Sequence, residues 1–197
     1  MTEHEHIALI DRLRGMPTET EWFEFKRNRY DAQDLGEYLS ALANSACLAS
    51  RPRGYLVFGI DDATHAVLGT DFDPYTAKAK GNQGLLPWLA TGLRPNTGFE
   101  PHIVEHPDGR VVLFEVGPAN GEPVAFYGTP HVRVGSSKTV LRNHPEKARR
   151  KRVRSGLAEA TGQRRSAKAP HWMSSTRMPS SRPASSSSSS IPAKPPR

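Results

Sequence analysis

The stretch Glu19–Lys26, ETEWFEFK, decides how the rest of the chain is interpreted. Its alternation is typical of a β-strand that places Phe23 and Phe25 on one face and Glu24 and Lys26 on the other. A carboxylate beside an ammonium group can be an ordinary ion pair. It can also hold a divalent cation next to a lysine that steadies a scissile phosphate. The spacing alone favours the ion pair, because short motifs often mislead.

The segments around this strand predict an α+β fold with a mixed or antiparallel sheet and helices packed on it. Helical spacing is present in residues 7–15 and again from Asp31, a plausible N-cap. The run YLVFGI predicts a buried strand. GFEPHIVEH and VVLFEV are joined by the turn signal PDGR and predict a hairpin. Further short strands are expected at VAFYG and HVRVG, and residues 73–93 predict a helix broken by glycines and a proline.

Charge divides the chain near Lys147. Residues 1–146 contain 14 Lys and Arg against 19 Asp and Glu, a net charge of −5, whereas residues 147–197 contain 13 against 1, a net charge of +12. We therefore predict a folded domain over residues 1–149 and a disordered basic Ser/Pro-rich tail over residues 150–197. Translation in a shifted reading frame would give a similar tail composition. The basic charge of the whole chain is consequently no argument that the folded part binds nucleic acid.

The cysteine count, the apolar runs and the first residues indicate where in the cell the protein is found. Cys47 is the only cysteine, and the sequence has no apolar run long enough to span a bilayer. The first residues, MTEHEHIALI, carry acids and histidines where a secretory signal would carry cations. These features predict a cytoplasmic protein that does not enter a membrane.

Two other places carry groups that could act on a ligand. Asp61 follows the predicted buried strand, where a side chain can reach a cleft, although Asp also commonly begins a turn. In HVRVGSSKT, Arg133 could grip a phosphate while Gly135, Ser136 and Ser137 hydrogen-bond to it. An ordinary hairpin turn fits the same residues equally well.

Two more sets of residues invite a metal interpretation. Glu19 lies five residues before Glu24, so a straight strand would send their carboxylates to opposite faces, and they converge only if the chain bends. His102 with His106, or His4 with His6, form histidine pairs. The sequence supplies no further ligands for either pair, so it does not predict a histidine metal site.

Four blocks in order resemble the Schlafen-type AlbA-like domain, a family associated with DNA binding in many bacterial proteins. They are ETEWFEFK, GEYLSALANSA, GYLVFGIDD with VLGTDFD, and HVRVGSSKTVLRNHPEKAR, and they cover roughly Glu19 to Arg149. The resemblance implies an AlbA-like core and association with DNA, RNA or a nucleotide. The main expectation is therefore a nucleic-acid-binding, regulatory protein that contacts phosphates through Lys26, Arg133 and the Gly135–Ser137 turn.

The resemblance also implies an alternative. In Schlafen members that cleave RNA, an acid triad binds metal, and by motif the three acids fall on Glu19, Glu24 and Asp61, with Lys26 beside them. The alternative expectation is a metal-dependent endoribonuclease using Mg²⁺ or Mn²⁺. ATP binding is a second alternative, based on domains that follow the HPEK block in relatives. This chain has ACLASRPRG where many relatives have a Gly-Gly pair, so its connection into the central strand differs.

Overall fold

The computed structural model describes residues 1–150 and has the expected α+β fold. Apart from Arg150, the predicted tail lies outside the described residues. The helices are α1 (Glu3–Arg14), α2 (Ala32–Leu48) and α3 (Leu85–Gly92), with 3₁₀ turns at Lys80–Asn82 and Leu141–Asn143. The strands are β1 (Phe23–Lys26), β2 (Gly54–Phe58), β3 (Leu93–Arg94), β4 (Phe99–His106), β5 (Gly109–Val116), β6 (Ala125–Phe126), β7 (Thr129–Val134) and β8 (Ser137–Val140).

The first sheet is mixed and has the strand order β1-β2-β5-β4. Strands β1 and β2 are parallel, whereas β2, β5 and β4 pair antiparallel. The predicted hairpin at PDGR is confirmed, with His106 paired to Gly109 across the turn between β4 and β5. The strand predicted at YLVFGI is also confirmed as β2, which lies at the centre of the sheet.

Both faces of this sheet are covered by helices. On one face, Leu9, Ile10 and Leu13 of α1 pack against Phe23 and Phe25 of β1. On the other face, side chains of α2 and α3 pack against the alternate residues of β2 and β5. Helix α1 begins with a capping box, in which Thr2 and Glu5 hydrogen-bond reciprocally to each other's backbone amides. The strand alternation predicted for β1 therefore sends its phenylalanines toward α1 and its charged residues toward α2.

The second sheet, β3-β6-β7-β8, is antiparallel and packs on α2. Polar side chains of α2 bond to the backbone of this sheet and of the residue before β6: Asn44 Nδ2 donates to His131 O at 2.7 Å, and Ser40 Oγ donates to Val124 O at 2.7 Å. At Gly36 an added Cβ would lie 2.1 Å from the Phe126 ring. The SALANSA block is consequently a docking surface, and α2 is buried between two sheets.

The broken helix predicted at residues 73–93 reduces to α3, with Pro87 tolerated in its first turn. Ahead of α3 the chain reverses direction at Gly81 and Asn82, which have φ values of 69° and 62°. The Ala79 amide donates to Gln83 O at 2.8 Å and closes this loop. Lys78 and Lys80 are exposed on the loop.

Candidate functional site

The charged pair predicted on β1 is present on the face toward α2. Lys26 Nζ lies 2.8 Å from Glu24 Oε1, and the Glu24 side chain is only 6% exposed. Lys26 Nζ also donates to the Tyr38 hydroxyl at 3.0 Å and lies 4.4 Å from the centroid of that ring. A strand residue and a helix residue thus hold the ammonium group in place.

Glu19 joins this pair because the chain bends before β1. Its Oε1 accepts a hydrogen bond from the Phe25 amide at 2.7 Å, so the side chain folds back over the strand. The sequence required a bend in the chain for the carboxylates of Glu19 and Glu24 to converge, and this bend is present. Both carboxylates then meet at Arg133 of β7.

Arg133 is the centre of the cluster and is fully buried. Its Nη1 donates to Phe23 O at 3.0 Å and to the Glu24 carboxylate, and its Nη2 lies 3.3 Å from Glu19 Oε2. The sequence predicted that Arg133 grips a phosphate, and such a contact requires an exposed guanidinium. In this structure the side chain instead neutralises two internal carboxylates.

The proximity of these groups shifts their pKa values in opposite directions. Burial, followed by the hydrogen bond with Glu24, raises the pKa of Glu19 to about 7. Burial alone would raise the pKa of Glu24 as well, but the hydrogen bonds and charges of Glu19, Arg133 and Lys26 outweigh it and hold that pKa below its usual value. The pKa of Lys26 is raised because its bonds to Glu24 and Tyr38 outweigh burial. The pair therefore holds a proton preferentially on Glu19.

Asp61, the third acid of the predicted triad, has different partners. Its Oδ1 accepts from the Thr64 amide at 2.8 Å and the Thr64 hydroxyl at 3.0 Å, and its Oδ2 lies 2.6 Å from Arg27 Nη2. This is the turn-forming role that was the alternative interpretation of Asp61.

The three acids, as arranged, do not match a shared metal site. The Arg133 guanidinium contacts the carboxyl groups of both Glu19 and Glu24 and supplies the positive charge that a bound cation would supply, and Asp61 is committed to its own turn and to Arg27. Within residues 1–150, the group of metal-ligating side chains with donor atoms within 4.8 Å of one another is His6, His102 and Glu115 instead. Mg²⁺ or Mn²⁺ binding by the triad stays a prediction, and it would require Arg133 to withdraw.

The small-residue turn Gly135–Ser137 belongs to the β7–β8 hairpin, in which Val134 pairs with Ser137. Gly135 has a φ of 59°, and its amide donates to Glu21 Oε1 at 3.3 Å. Glu21 thus has a structural contact, and the amide that was expected to bind phosphate has an internal partner. Ser136 and Ser137 are exposed.

Sequence reasoning missed a cleft next to the start of α2. We call it the Tyr30 cleft; its volume is about 440 Å³, and it is lined by Tyr30, Asp31, Ala32, Gln33, Lys78, Ala79, Lys80 and Trp88. The Tyr30 ring stacks on Phe72 with centroids 4.3 Å apart, and its hydroxyl donates to Lys78 O at 3.4 Å. The alternating lysines of AKAKG were a visible signal, but they were assigned to a broken helix.

These features define an α+β domain of AlbA-like type, in which a central helix lies between two sheets and a buried arginine joins them. The chain matches the family described as Schlafen, AlbA_2 over residues 19–142, more than half of its 197 residues. It belongs to this family.

Several solved structures are similar to the chain, and they include the following two. One is the DIP2311 protein from Corynebacterium diphtheriae, with 21% identity, a TM-score of 0.46 and coverage of 78% of this chain. The chain spans only 29% of the length of that protein. The other is the N-terminal domain of a protein from Nitrosomonas europaea whose name relates it to the ATP-dependent DNA helicase RecG. It has 20% identity and a TM-score of 0.42, and the match covers 68% of this chain and 90% of that domain.

A comparison with curated proteins finds no match. Among the helices of residues 1–150, none has the length and apolar character needed to cross a membrane.

Proposed function

We propose that this protein binds single-stranded nucleic acid through the Tyr30 cleft and the basic residues beside it. Membership of the Schlafen AlbA_2 family supports the class of ligand. The observation that carries the proposal is the cleft itself, which combines the exposed Lys78 and Lys80 with the half-buried ring of Tyr30. Cationic side chains can contact the sugar-phosphate backbone, while an aromatic wall can stack on a base whatever its identity.

The electrostatics of the cleft fit a polyanion. The N-terminus of α2 opens into it at Ala32 and Gln33, so backbone amides add positive potential to that of the two lysines. Asp31 is the one acid of its lining, and its carboxylate is occupied as the N-cap, accepting from the Asp34 amide at 2.8 Å. Arg29, adjacent in sequence to Tyr30, is exposed and extends the basic surface.

Glu19, Glu24, Lys26 and Arg133 form a group that we call the acid–arginine cluster. Its arrangement favours binding over cleavage as the primary activity. Glu19 and Glu24 already have a fixed cation in Arg133, and Asp61 has Arg27. Lys26 is partly exposed and is the member of this cluster that can reach a phosphate from outside. We therefore assign the carboxylates a structural role in the binding protein and propose Lys26 as an auxiliary phosphate contact.

The test measures fluorescence anisotropy of a labelled single-stranded oligonucleotide with the full chain. We expect the double variant Lys78→Ala/Lys80→Ala to bind about tenfold more weakly. The slope of log affinity against log salt should become shallower by about 1.4, since each phosphate contact on single strands contributes about 0.7. The matched control is Arg12→Ala/Arg142→Ala, which removes two exposed cations elsewhere.

Equal losses in the two double variants would contradict the proposal, because they would show that only total charge matters. Weak binding of the oligonucleotide together with Lys78-dependent binding of ATP would instead assign the cleft to a nucleotide, a ligand that its volume can also accommodate.

A further inference from the structure

Two histidines and a glutamate meet on the opposite side of the first sheet from the acid–arginine cluster. His6 comes from α1, His102 from β4 and Glu115 from β5. In the strand register Glu115 pairs with Glu100, and His102 lies two residues from Glu100, so all three strand residues share one face. Helix α1 packs on that face and brings His6 to them.

The donor atoms of these three side chains point at one another. His6 Nε2 lies 3.6 Å and His102 Nε2 lies 3.9 Å from Glu115 Oε1, and the two imidazole rings have centroids 4.2 Å apart. His6 is 7% exposed and Glu115 is 6% exposed. Within residues 1–150, neither His6 Nε2 nor Glu115 Oε1 has a hydrogen-bond partner. Buried polar atoms without a partner cost stability, so a ligand that bonds to both atoms would be strongly favoured.

The charges around the cluster also favour a cation. Glu100 stands directly across from Glu115, an arrangement of like charges that destabilises a strand pair. Glu100 Oε2 lies 4.0 Å from His102 Nε2, close enough for the carboxylate to join a shared ion. Arg53 Nε lies 3.7 Å from Glu115 Oε2 and neutralises part of the charge from the solvent side. The N-terminal ammonium also acts on Glu115 and His6, but Glu3 and Glu5 near His6 add to the charge of Glu100 and Glu115 and leave a negative excess.

We propose that His6, His102 and Glu115 bind a divalent transition-metal ion of the Zn²⁺ class, with Glu100 or water as the fourth ligand. Imidazole nitrogen combined with carboxylate oxygen suits Zn²⁺, whereas Mg²⁺ and Ca²⁺ prefer oxygen alone. Tetrahedral Zn²⁺ with bonds of about 2.0–2.1 Å places neighbouring donor atoms about 3.3 Å apart. The separations of the two histidine nitrogens from Glu115 Oε1, 3.6 and 3.9 Å, need to shrink by about 0.3 and 0.6 Å.

Such an ion would tie α1 to the β4–β5 hairpin. His6 precedes residues 19–142, which match the family, so one of the ligands comes from a helix outside that match. The proposed site therefore depends on α1, a helix outside the family match, and the ion would stabilise the packing of α1 on the sheet. This inference is independent of the nucleic-acid proposal, because it concerns the other face of the sheet.

The test uses the full chain without an affinity tag, stripped of metal with a chelator and titrated with Co²⁺. We expect one Co²⁺ to bind with the strong visible absorption of tetrahedral coordination, and Zn²⁺ to displace it. His6→Gln and His102→Gln should each weaken binding at least tenfold. His4→Gln is the matched control, because His4 is exposed on the same helix. Glu122→Gln, at an exposed acid away from these three ligands, is a second control and should leave Co²⁺ binding unchanged.

A second measurement needs no variant. Zn²⁺ in excess should raise the melting temperature of the wild-type protein, since a ligand that binds only the folded state stabilises it, and Mg²⁺ should not. The proposal is overturned if wild-type protein gives only the weak spectrum of octahedral Co²⁺. It is also overturned if His6→Gln binds Co²⁺ as tightly as His4→Gln, or if Zn²⁺ leaves the melting temperature unchanged.

Discussion

At the scale of single residues, Arg133 connects more of the molecule than any motif in the sequence indicated. Its guanidinium links β7 to β1 and to the loop before β1, and it is the counter-charge for two carboxylates that are nearly inaccessible to water. Burying this many charges is costly, and the cost is offset only while each charge keeps its partner. The cluster is therefore more sensitive to the loss of one member than to the loss of all.

Above about pH 7, where Glu19 as well as Glu24 is ionised, replacing Arg133 by Met should lower the free energy of unfolding by about 3–5 kcal/mol, because both carboxylates would remain buried without their cation. Urea denaturation measures this change. Arg142→Met, at an exposed position, is the matched control and should change stability by less than about 0.5 kcal/mol. Adding Glu19→Gln and Glu24→Gln to Arg133→Met should restore part of the loss. A denaturation midpoint unchanged by Arg133→Met would contradict the buried-cluster interpretation.

Glu19 should make stability depend on pH. Its pKa is raised from 4.5 to about 7 in the folded state, so between these values the native protein binds more protons than the unfolded chain. Stability from this group is therefore present below about pH 4.5 and is lost as the pH rises to about 7. Glu24, whose pKa is lowered, contributes in the opposite sense and only below its ordinary value.

We expect Glu19→Gln to remove that loss, so its stability relative to wild type should rise between pH 4.5 and 7 by at most about 3 kcal/mol. Chemical denaturation at several pH values gives the difference in free energy of unfolding between the variant and wild type. The contributions of other titrating groups cancel in this difference. Glu122→Gln, an exposed control, should give a flat difference. A flat difference for Glu19→Gln as well would show that Glu19 is ionised in the folded state.

At the scale of elements, α2 is the helix whose surroundings matter most. Asn44 makes three buried hydrogen bonds to β7 and to the residue before β6: its Nδ2 donates to His131 O and Val124 O, and its Oδ1 accepts from the Val124 amide at 2.9 Å. We expect Asn44→Ala to destabilise the protein by about 3 kcal/mol, since it removes three buried hydrogen bonds, although Val124 O keeps the bond from Ser40 Oγ. Hydrogen exchange should accelerate in β6 and β7 first. The exposed Asn120 supplies the control Asn120→Ala, and equal effects of the two variants would contradict this role.

The sequence predicted α2 and its N-cap, because both depend on local spacing. It did not predict that the polar side of α2 is buried, because the strands that cover it are short and distant in the chain. The alternation of HVRV likewise indicates a strand, but it does not reveal that Arg133 faces inward toward acids more than a hundred positions earlier. The structure brings together Glu19, Glu24 and Lys26 of the predicted site, whereas Asp61 has partners of its own, and the cation that holds the first two depends on tertiary packing.

At the scale of the whole molecule, the composition change near Lys147 does not mark the end of the packed body. Lys147 Nζ donates to Arg133 O at 2.8 Å, and Ala148 packs beside Leu48, Val132 and Leu141. A truncation that removes Lys147 would therefore remove contacts of the folded part. A cut after Arg150 keeps them, and it leaves a body with 17 Lys and Arg against 19 Asp and Glu, a net charge of −2.

This cut separates binding by the body from binding by the remaining residues, 151–197, which carry 10 Lys and Arg against 1 Asp or Glu. We expect the chain ending at Arg150 to bind a single-stranded oligonucleotide more weakly than the full chain, with a smaller salt slope, because fewer cations release counterions. The remaining affinity should depend on Lys78 and Lys80, since these two exposed cations lie beside the aromatic side chains of the Tyr30 cleft, whereas exposed cations such as Arg12 and Arg142 do not line it. Anisotropy titrations over a range of salt concentrations measure both quantities, with Arg12→Ala/Arg142→Ala in the shortened chain as the control.

If the shortened chain binds no DNA or RNA even at low salt, the basic residues after Arg150 account for all binding. The Tyr30 cleft would then have to be titrated with ATP.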